Sequence, residues 1–467
     1  MWNVINRELA RKPSEPLDFT ELIKVCNGVP VTSKQEVADA LNAEFVGAAA
    51  ACGAPRADVR AALAALGARA PPLDRSIRFQ PFTPGEVAKI MQVEIAPKNS
   101  QDIYELSPSI LKFVKIAPLY KGKGQKSAGK SYRPISLVPA LSKVMEVGLN
   151  QRLLSFWLSQ NVISDRQYAY QRGCNSTDLV REVIWAVMRA REAGRLAAVL
   201  CCDLLRAFDT ADHNLVEAKL DHYGFRGPAL KVLVSFMRNR TQTVVGDRGR
   251  VRSAEQRSIM GVPQGSCLSN TLFTVLLNDL PGALEGTEVF MYADDVTVVT
   301  TAPNEQLLEE ALNDTVHKLY IWFAQNGLSL NTEKTCFLRV SLNGHPSSDL
   351  KIHEGNTNIQ QVMTTKLLGF VLDSSLCWRD HIDALCARLG QACYALRRLA
   401  STASRYVVRS CYFATVHSIL SYGTELWGRA ADFDRAFRMQ KRAVRGIVGI
   451  RSDESARDHF KDLRKKS

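Results

Sequence analysis

The chain has 467 residues, 46% hydrophobic and 23% charged, so it can bury a sizeable core and is not disordered throughout. Lys and Arg outnumber Asp and Glu by 60 to 47, a formal net charge of +13, which points to a polyanionic partner. No window approaches the ~18 uninterrupted apolar residues of a membrane span, and the start from Met1 to Glu8 lacks the apolar core of a signal peptide. The 11 cysteines include no Cys-x-x-Cys pair and no zinc spacing with histidine. Reduced thiols in an intracellular protein, with no membrane association and with the nucleus among its candidate compartments, are therefore expected.

In chain order, residues 1–100 carry helical patches, among them an Ala-rich stretch from Ala48 to Ala70 that stops at Pro71-Pro72. Ile116–Tyr120 and Tyr132–Val138 read as two strands joined by a basic, flexible tip, Lys121–Lys130. Lys143–Trp157 and Asp178–Ala193 read as helices. Ala197–Cys202 is a continuous apolar run ending in Asp203, the pattern of a buried strand. Gly261–Ser266 is a loop that leads into an apolar helix ending near Leu277. Glu288–Tyr292 and Val296–Thr300 are strand-like and enclose Ala293-Asp294-Asp295. Leu307, Leu308, Ala311, Leu312, Val316, Leu319 and Phe323 recur at helical spacing, and Gly327 ends that helix. Ile382, Leu385, Leu389, Leu396 and Leu399 repeat the pattern. Strands and helices alternate irregularly, which predicts an α+β fold.

The charge is unevenly placed. From Lys112 to Lys143 there are eight basic residues and no acidic one, and from Arg388 onward 17 Lys and Arg face 7 Asp and Glu. A solvated face is the ordinary reading of one such run. Two of them flanking an acidic centre favour nucleic acid.

That centre is Asp203, at the end of a buried strand, together with Asp294 and Asp295 at the apex of an apolar hairpin. Carboxylates in such places are costly unless cations pair with them. A cluster of this kind suits magnesium, and two ions so held could serve both oxygens of a phosphoryl transfer. An Asp-Asp pair alone is most often just a turn.

The pair is not alone. Asp203-Leu204-Leu205-Arg206-Ala207-Phe208-Asp209, Gly261-Val262-Pro263-Gln264-Gly265-Ser266 and Tyr292-Ala293-Asp294-Asp295 follow one another. Tyr132-Arg133-Pro134-Ile135-Ser136-Leu137, Gln167-Tyr168-Ala169-Tyr170 with Ser176-Thr177, and Gly224-Phe225-Arg226-Gly227 fall at matching places around them. Asn326–Thr335 and Leu368-Gly369 come after. In this order the blocks resemble reverse transcriptases of non-long-terminal-repeat retrotransposons of the jockey type, from about residue 86 to 460.

The resemblance implies a right-hand polymerase with fingers, palm and thumb. Its palm would be an antiparallel sheet backed by helices, followed by a helical C-terminal region. The expected divisions are an N-terminal flank (1–85), fingers (86–195), palm (196–345), and a primer-supporting hairpin with a basic thumb (346–467). Asp203, Asp294 and Asp295 would hold two magnesium ions, or manganese in their place. Phe208 would exclude a ribose 2′-hydroxyl, although core packing is its rival reading. Gln264 and Gly265 would touch nucleotide and template. Lys334 would protonate pyrophosphate, although an exposed strand-end lysine reads as well. Lys121, Lys123 and Arg133 would meet the triphosphate and template backbone.

The implied partners are an RNA template, a DNA primer and deoxynucleoside triphosphates. The chain also departs from the pattern. The connection Pro108–Lys115 is short, Ala169 stands where a glycine is common, and Cys174-Asn175 interrupt a usual basic position. With no endonuclease, ribonuclease H or zinc-knuckle motif, the chain reads as a fragment of a longer polyprotein. An active polymerase, an inactive nucleic-acid-binding relic and a host-adopted polymerase are the three readings.

Overall fold

The structure, a computed structural model, describes residues 33–95, 113–171, 173–341, 349–355 and 357–464, with a few positions between 19 and 31. The short connection expected at Pro108–Lys115 falls largely outside the described residues, as does the Asp102–Ser107 segment before it.

Local chemistry starts the helices where polarity changes. Helix α1 (Lys34–Val46) begins at Ser33, whose hydroxyl accepts the Glu36 N–H. The predicted 48–70 helix is instead two: Ala48–Ala51, and α2 (Val59–Arg69), which restarts at the Asp58 cap. Gly53-Ala54-Pro55 separates them, because proline cannot continue a helix and glycine tolerates the turn.

Strands β1 (Phe113–Tyr120) and β2 (Tyr132–Leu137) pair antiparallel around the basic tip, as expected. Helices α3 (Ala140–Ser159) and α4 (Ser176–Glu192) follow. Asn175 caps α4 in a reciprocal box with Asp178, so the departure at Cys174-Asn175 supplies a helix start.

Strand β3 (Leu196–Cys202) leads through a single turn, α5 (Ala207–Thr210), to α6 (His213–His222) and α7 (Gly227–Met237). Strands β4 (Arg240–Gly246), β5 (Val251–Arg252) and β6 (Gln256–Ser258) come next. Helix α8 (Cys267–Leu277) and the single turn α9 (Leu280–Ala283) precede the hairpin of β7 (Glu288–Tyr292) and β8 (Asp295–Ala302). Helix α10 (Glu305–Gln325) leads to β9 (Cys336–Val340), β10 (Ile352–Glu354) and β11 (Thr357–Gln361). A second hairpin, β12 (Thr364–Leu367) and β13 (Phe370–Asp373), precedes α11 (Arg379–Ala400), α12 (Arg405–Tyr412) and α13 (Phe433–Val448).

The central sheet runs β10-β11-β9-β3-β8-β7. Its inner strands are antiparallel, but β9 and β11 run parallel, so the expected antiparallel sheet is a mixed one. Alternation along β3 explains its apolar run. Ala198, Leu200 and Cys202 face a core shared with α6, α8 and α10, while Ala197 and Val199 face a second core shared with α4 and α11. A strand buried on both faces has no polar side to show.

The second sheet runs β2-β1-β4-β5, with β6 also on β4, and contains the parallel pair β1–β4. Residues 240–258 thus join the basic hairpin although they lie in the chain between segments of the central sheet. Helix α1 covers this sheet, and Asn42, fully buried on it, donates to Ser253 Oγ at 2.9 Å and to the Ala254 carbonyl at 2.8 Å. The ten cysteines from Cys52 to Cys411 are free, and no described helix is long and apolar enough to cross a membrane.

Candidate active site

The register of the central sheet brings the acidic residues to one end of it. Val296 of β8 pairs with Cys202 of β3, so Asp295 and Asp203 stand at the next opposed positions. Asp294 lies beside them in the two-residue turn between Tyr292 and Asp295. Ala293 takes a left-handed φ of 57° there, a conformation that costs a residue with a Cβ roughly 1–2 kcal/mol. The turn is propped from outside the hairpin. Gln167, buried, accepts the Ala293 N–H at 3.2 Å and the Ala169 N–H at 3.0 Å through Oε1.

Asp203 is held on its other side. Lys334 Nζ and Asn331 Nδ2 each donate to its Oδ2 at 2.8 Å, and the Asn331 N–H donates to its carbonyl at 2.7 Å. Lys334 is exposed and is in contact with the acidic group. Burial raises the pKa of Asp294, the charge of Asp203 adds to the rise, and Arg133 and Lys334 oppose it. Asp295 is exposed as a residue, yet the protein packed around its carboxylate, followed by the charges of Asp294 and Asp203, pushes it up to about 6.

Among the described residues no three Asp, Glu, His or Cys side chains stand close enough to hold an ion together. The three carboxylates share one end of the sheet but do not form the metal cage expected from the sequence. Lys334 and Asn331 both engage Asp203. The donor chemistry still fits a hard divalent cation. It consists of carboxylate oxygens whose proton affinity is raised by burial and mutual repulsion, a deficit that positive charge relieves.

The Gly261–Ser266 loop packs beside this group. Gly261 has φ 80°, and a Cβ there would lie 2.7 Å from the Asp209 carbonyl oxygen, so only glycine fits against α5. Gly265 has φ 109° and packs on β2, where the Ser136 N–H donates to the Gln264 carbonyl at 2.7 Å. The Gln264 side chain turns back and donates to Asp209 Oδ1 at 3.0 Å. Burial pushes Asp209 up to about 6. Ser266 caps α8 and donates to the buried Glu146 at 2.7 Å, and burial raises the pKa of that carboxylate.

Phe208 is half-buried and stacks on Phe273 of α8, centroids 4.7 Å apart and planes 21° apart. Lys121 is among the charges acting on Asp209; it is exposed as a residue, yet the protein packed around its ammonium group and then Arg206, Arg133 and Lys334 lower its pKa. Lys123 lies on the exposed tip.

Four positioning side chains escaped notice in the sequence: Gln167, Arg206, Asp209 and Asn331. Each lies inside a recognised block, so a polar residue within such a block was the available signal. Glu44, which pairs with Arg206 from α1, carried none.

Residues 123–372 match the reverse transcriptase (RNA-dependent DNA polymerase) family. A probable RNA-directed DNA polymerase from transposon BS of Drosophila melanogaster is 28% identical over 365 residues, 73% of this chain and 39% of that protein. The RNA-directed DNA polymerase from mobile element jockey of the same species is 25% identical over 370 residues, 76% of this chain and 40% of the relative. The chain thus spans about two fifths of the length of these relatives. The solved structure of telomerase from Candida albicans aligns with 82% of this chain and 70% of its own at 12% identity, with a TM-score of 0.40. The family match covers more than half of the chain and includes the acidic end of the central sheet, so the chain belongs to the reverse transcriptase family, of the type found in non-long-terminal-repeat retrotransposons.

Proposed function

We propose that the chain is the polymerase portion of a retrotransposon protein and extends a primer 3′-hydroxyl on an RNA template with deoxynucleoside triphosphates. The observation that carries this reading is the opposition of Asp203 and Asp295 across β3 and β8, with Asp294 alongside and Lys334 in contact. In this reading residues 86–195 together with β4–β6 are the fingers, the rest of 196–345 is the palm, and 346–467 holds the primer-supporting hairpin and thumb. Residues 1–85 flank them.

Asp203 and Asp294 are the proposed ligands of two magnesium ions, with Asp295 as the third acidic member and manganese as a substitute. When bound, the ions would stabilise charge on the attacking and leaving oxygens. The side chains do the remaining work. Lys334 delivers a proton towards the departing pyrophosphate. Gln264 and Gly265 form the floor beneath the nucleotide and template, and the Asp209 carboxylate orients Gln264. Lys121, Lys123 and Arg133 attract the triphosphate and template backbone, and the crowding of Lys121 with Arg206 and Arg133 favours an anion there. Phe208, fixed on Phe273, presents a ring that leaves no room for a 2′-hydroxyl.

A primer-extension assay with purified protein, with and without magnesium, tests the reading. Extension that needs the metal and disappears in Asp294→Ala, with primer–template binding retained, is the expected result. Salt-dependent binding by the parent with no extension in magnesium or manganese replaces it with the inactive-relic reading.

A further inference from the structure

The hairpin β12–β13 stands on the same face of the central sheet as the acidic residues. Alternation along β3 turns Cys202 to one core, so Asp203 turns towards the other, to which Leu367, Phe370 and Leu372 of the hairpin belong. Thr365 anchors the base of the hairpin, its hydroxyl 3.4 Å from Cys336 Sγ on β9. The tip is the two-residue turn Leu368-Gly369, with φ 46° and 89°. Such a turn bends the chain back but leaves its own position undetermined.

Tyr422 packs on the hairpin and bonds to the turn. The phenol stacks on Phe370, centroids 4.7 Å apart and planes 19° apart. Its hydroxyl donates to the Leu368 carbonyl at 2.6 Å and lies 2.9 Å from Ser176 Oγ, at the start of α4. One hydroxyl therefore joins segments 54 and 246 residues away in the chain. The tyrosine is itself held. Buried Trp427 donates its indole N–H to the Tyr422 carbonyl at 3.0 Å. Gly423 has φ 60° and lies so close to the Phe370 ring that a Cβ would collide with it.

We propose that Tyr422 is a positioning residue that holds the Leu368-Gly369 turn at a set distance from the acidic end of the sheet, and so sets where a primer 3′ end lies. This rests on the polymerase reading above, in which the hairpin supports the primer. The hydroxyl links the region that would grip duplex to the turn that would align its end.

The test is Tyr422→Phe, which keeps the stacked ring and removes both hydroxyl hydrogen bonds. In the parent and the variant, single-turnover extension of an annealed primer–template is measured alongside the active fraction, the KM for the nucleotide and the melting temperature. The expected result is a fall of about tenfold in rate per active molecule, well within what a 1 Å misplacement of reacting groups costs. The other three quantities stay within about twofold or a few degrees. Ser176→Ala, which leaves the Leu368 hydrogen bond, should lose less. An unchanged rate per active molecule, or a loss fully matched by the active fraction, overturns the proposal. If the parent extends no primer, the polymerase reading fails by itself, and amide exchange over 364–373 decides the clasp. Faster exchange there in Tyr422→Phe than in the parent supports it, and equal exchange overturns it.

Discussion

The Asp209 carboxylate shows how one side chain links packing to pH. In the folded chain burial raises its pKa from 3.8 to about 6, so folding favours its protonated form. Above pH 6 the ionised group therefore weakens the fold, by about 3 kcal/mol at most for a shift of this size. As the pH falls through 6 towards 4 the cost is relieved, and its contribution to stability rises. Asp209→Asn keeps an oxygen for Gln264 and removes the charge. The variant should be more stable than the parent at pH 7.5, and the gap should shrink to about a third by pH 4.5 and close only as the pH falls below 3.8, read as urea midpoints. A gap independent of pH would contradict the assignment. Phe208 is the second residue of this kind. Phe208→Val should raise ribonucleotide incorporation relative to deoxynucleotide, measured as the ratio of kcat/KM values. The ratio separates sugar choice from the loss of packing on Phe273, which lowers both rates together. An unchanged ratio would leave Phe208 with a packing role only.

Among the elements, α6, the α8–α9 junction and α10 meet at a buried charge pair. Lys219 of α6 donates to Asp279 Oδ1 at 2.5 Å and to the Leu276 carbonyl at 2.7 Å, while Trp322 of α10 donates to Asp279 Oδ2 at 3.2 Å. Both charged side chains are almost wholly enclosed. Removing one partner strands the other, which typically costs about 3–5 kcal/mol, whereas replacing both can be nearly neutral. Lys219→Met should therefore lower the urea midpoint sharply, and adding Asp279→Leu should restore much of it. The restoration stays incomplete, because the Trp322 N–H then has no acceptor. If the double variant is no better than the single one, the pair is not what joins these helices.

Across the protein as a whole, basic surface and acidic site are separable. Arg438 and Arg442 of α13 are exposed. Reversing both should weaken primer–template binding and make its salt dependence shallower by about one unit of slope for each phosphate no longer neutralised. Asp294→Ala should leave both unchanged, as fluorescence anisotropy across a salt series can show. Arg435 belongs to a different class. It pairs with Asp383 of α11 at 2.5 Å and with Asp432 at 3.9 Å, so its reversal should loosen the packing of α11 on α13 rather than remove a phosphate-binding charge. A variant Arg435→Glu with parental melting temperature and weaker binding would place it with the other two.

Whatever depends on neighbouring residues was legible in the chain alone. Periodicity marked α10 and α11, the apolar run marked β3, and the turn between two apolar segments put Asp294 at an apex. Strand-end and hairpin positions for Asp203, Asp294 and Asp295 followed from these local patterns, and the ordered blocks carried the family. The break at Gly53-Ala54-Pro55 is local as well, a glycine and a proline that the Ala-rich stretch around them masked. Whatever depends on a partner far along the chain was settled only by folding. Nothing near 240–258 says that these strands cross to the sheet of the basic hairpin, because a strand's pattern fixes its buried faces but not its neighbour. Gln167 props a turn 126 residues away, and Arg206 meets a glutamate 162 residues before it. A polar side chain shows in the sequence that it needs a partner, and only the folded packing supplies which one.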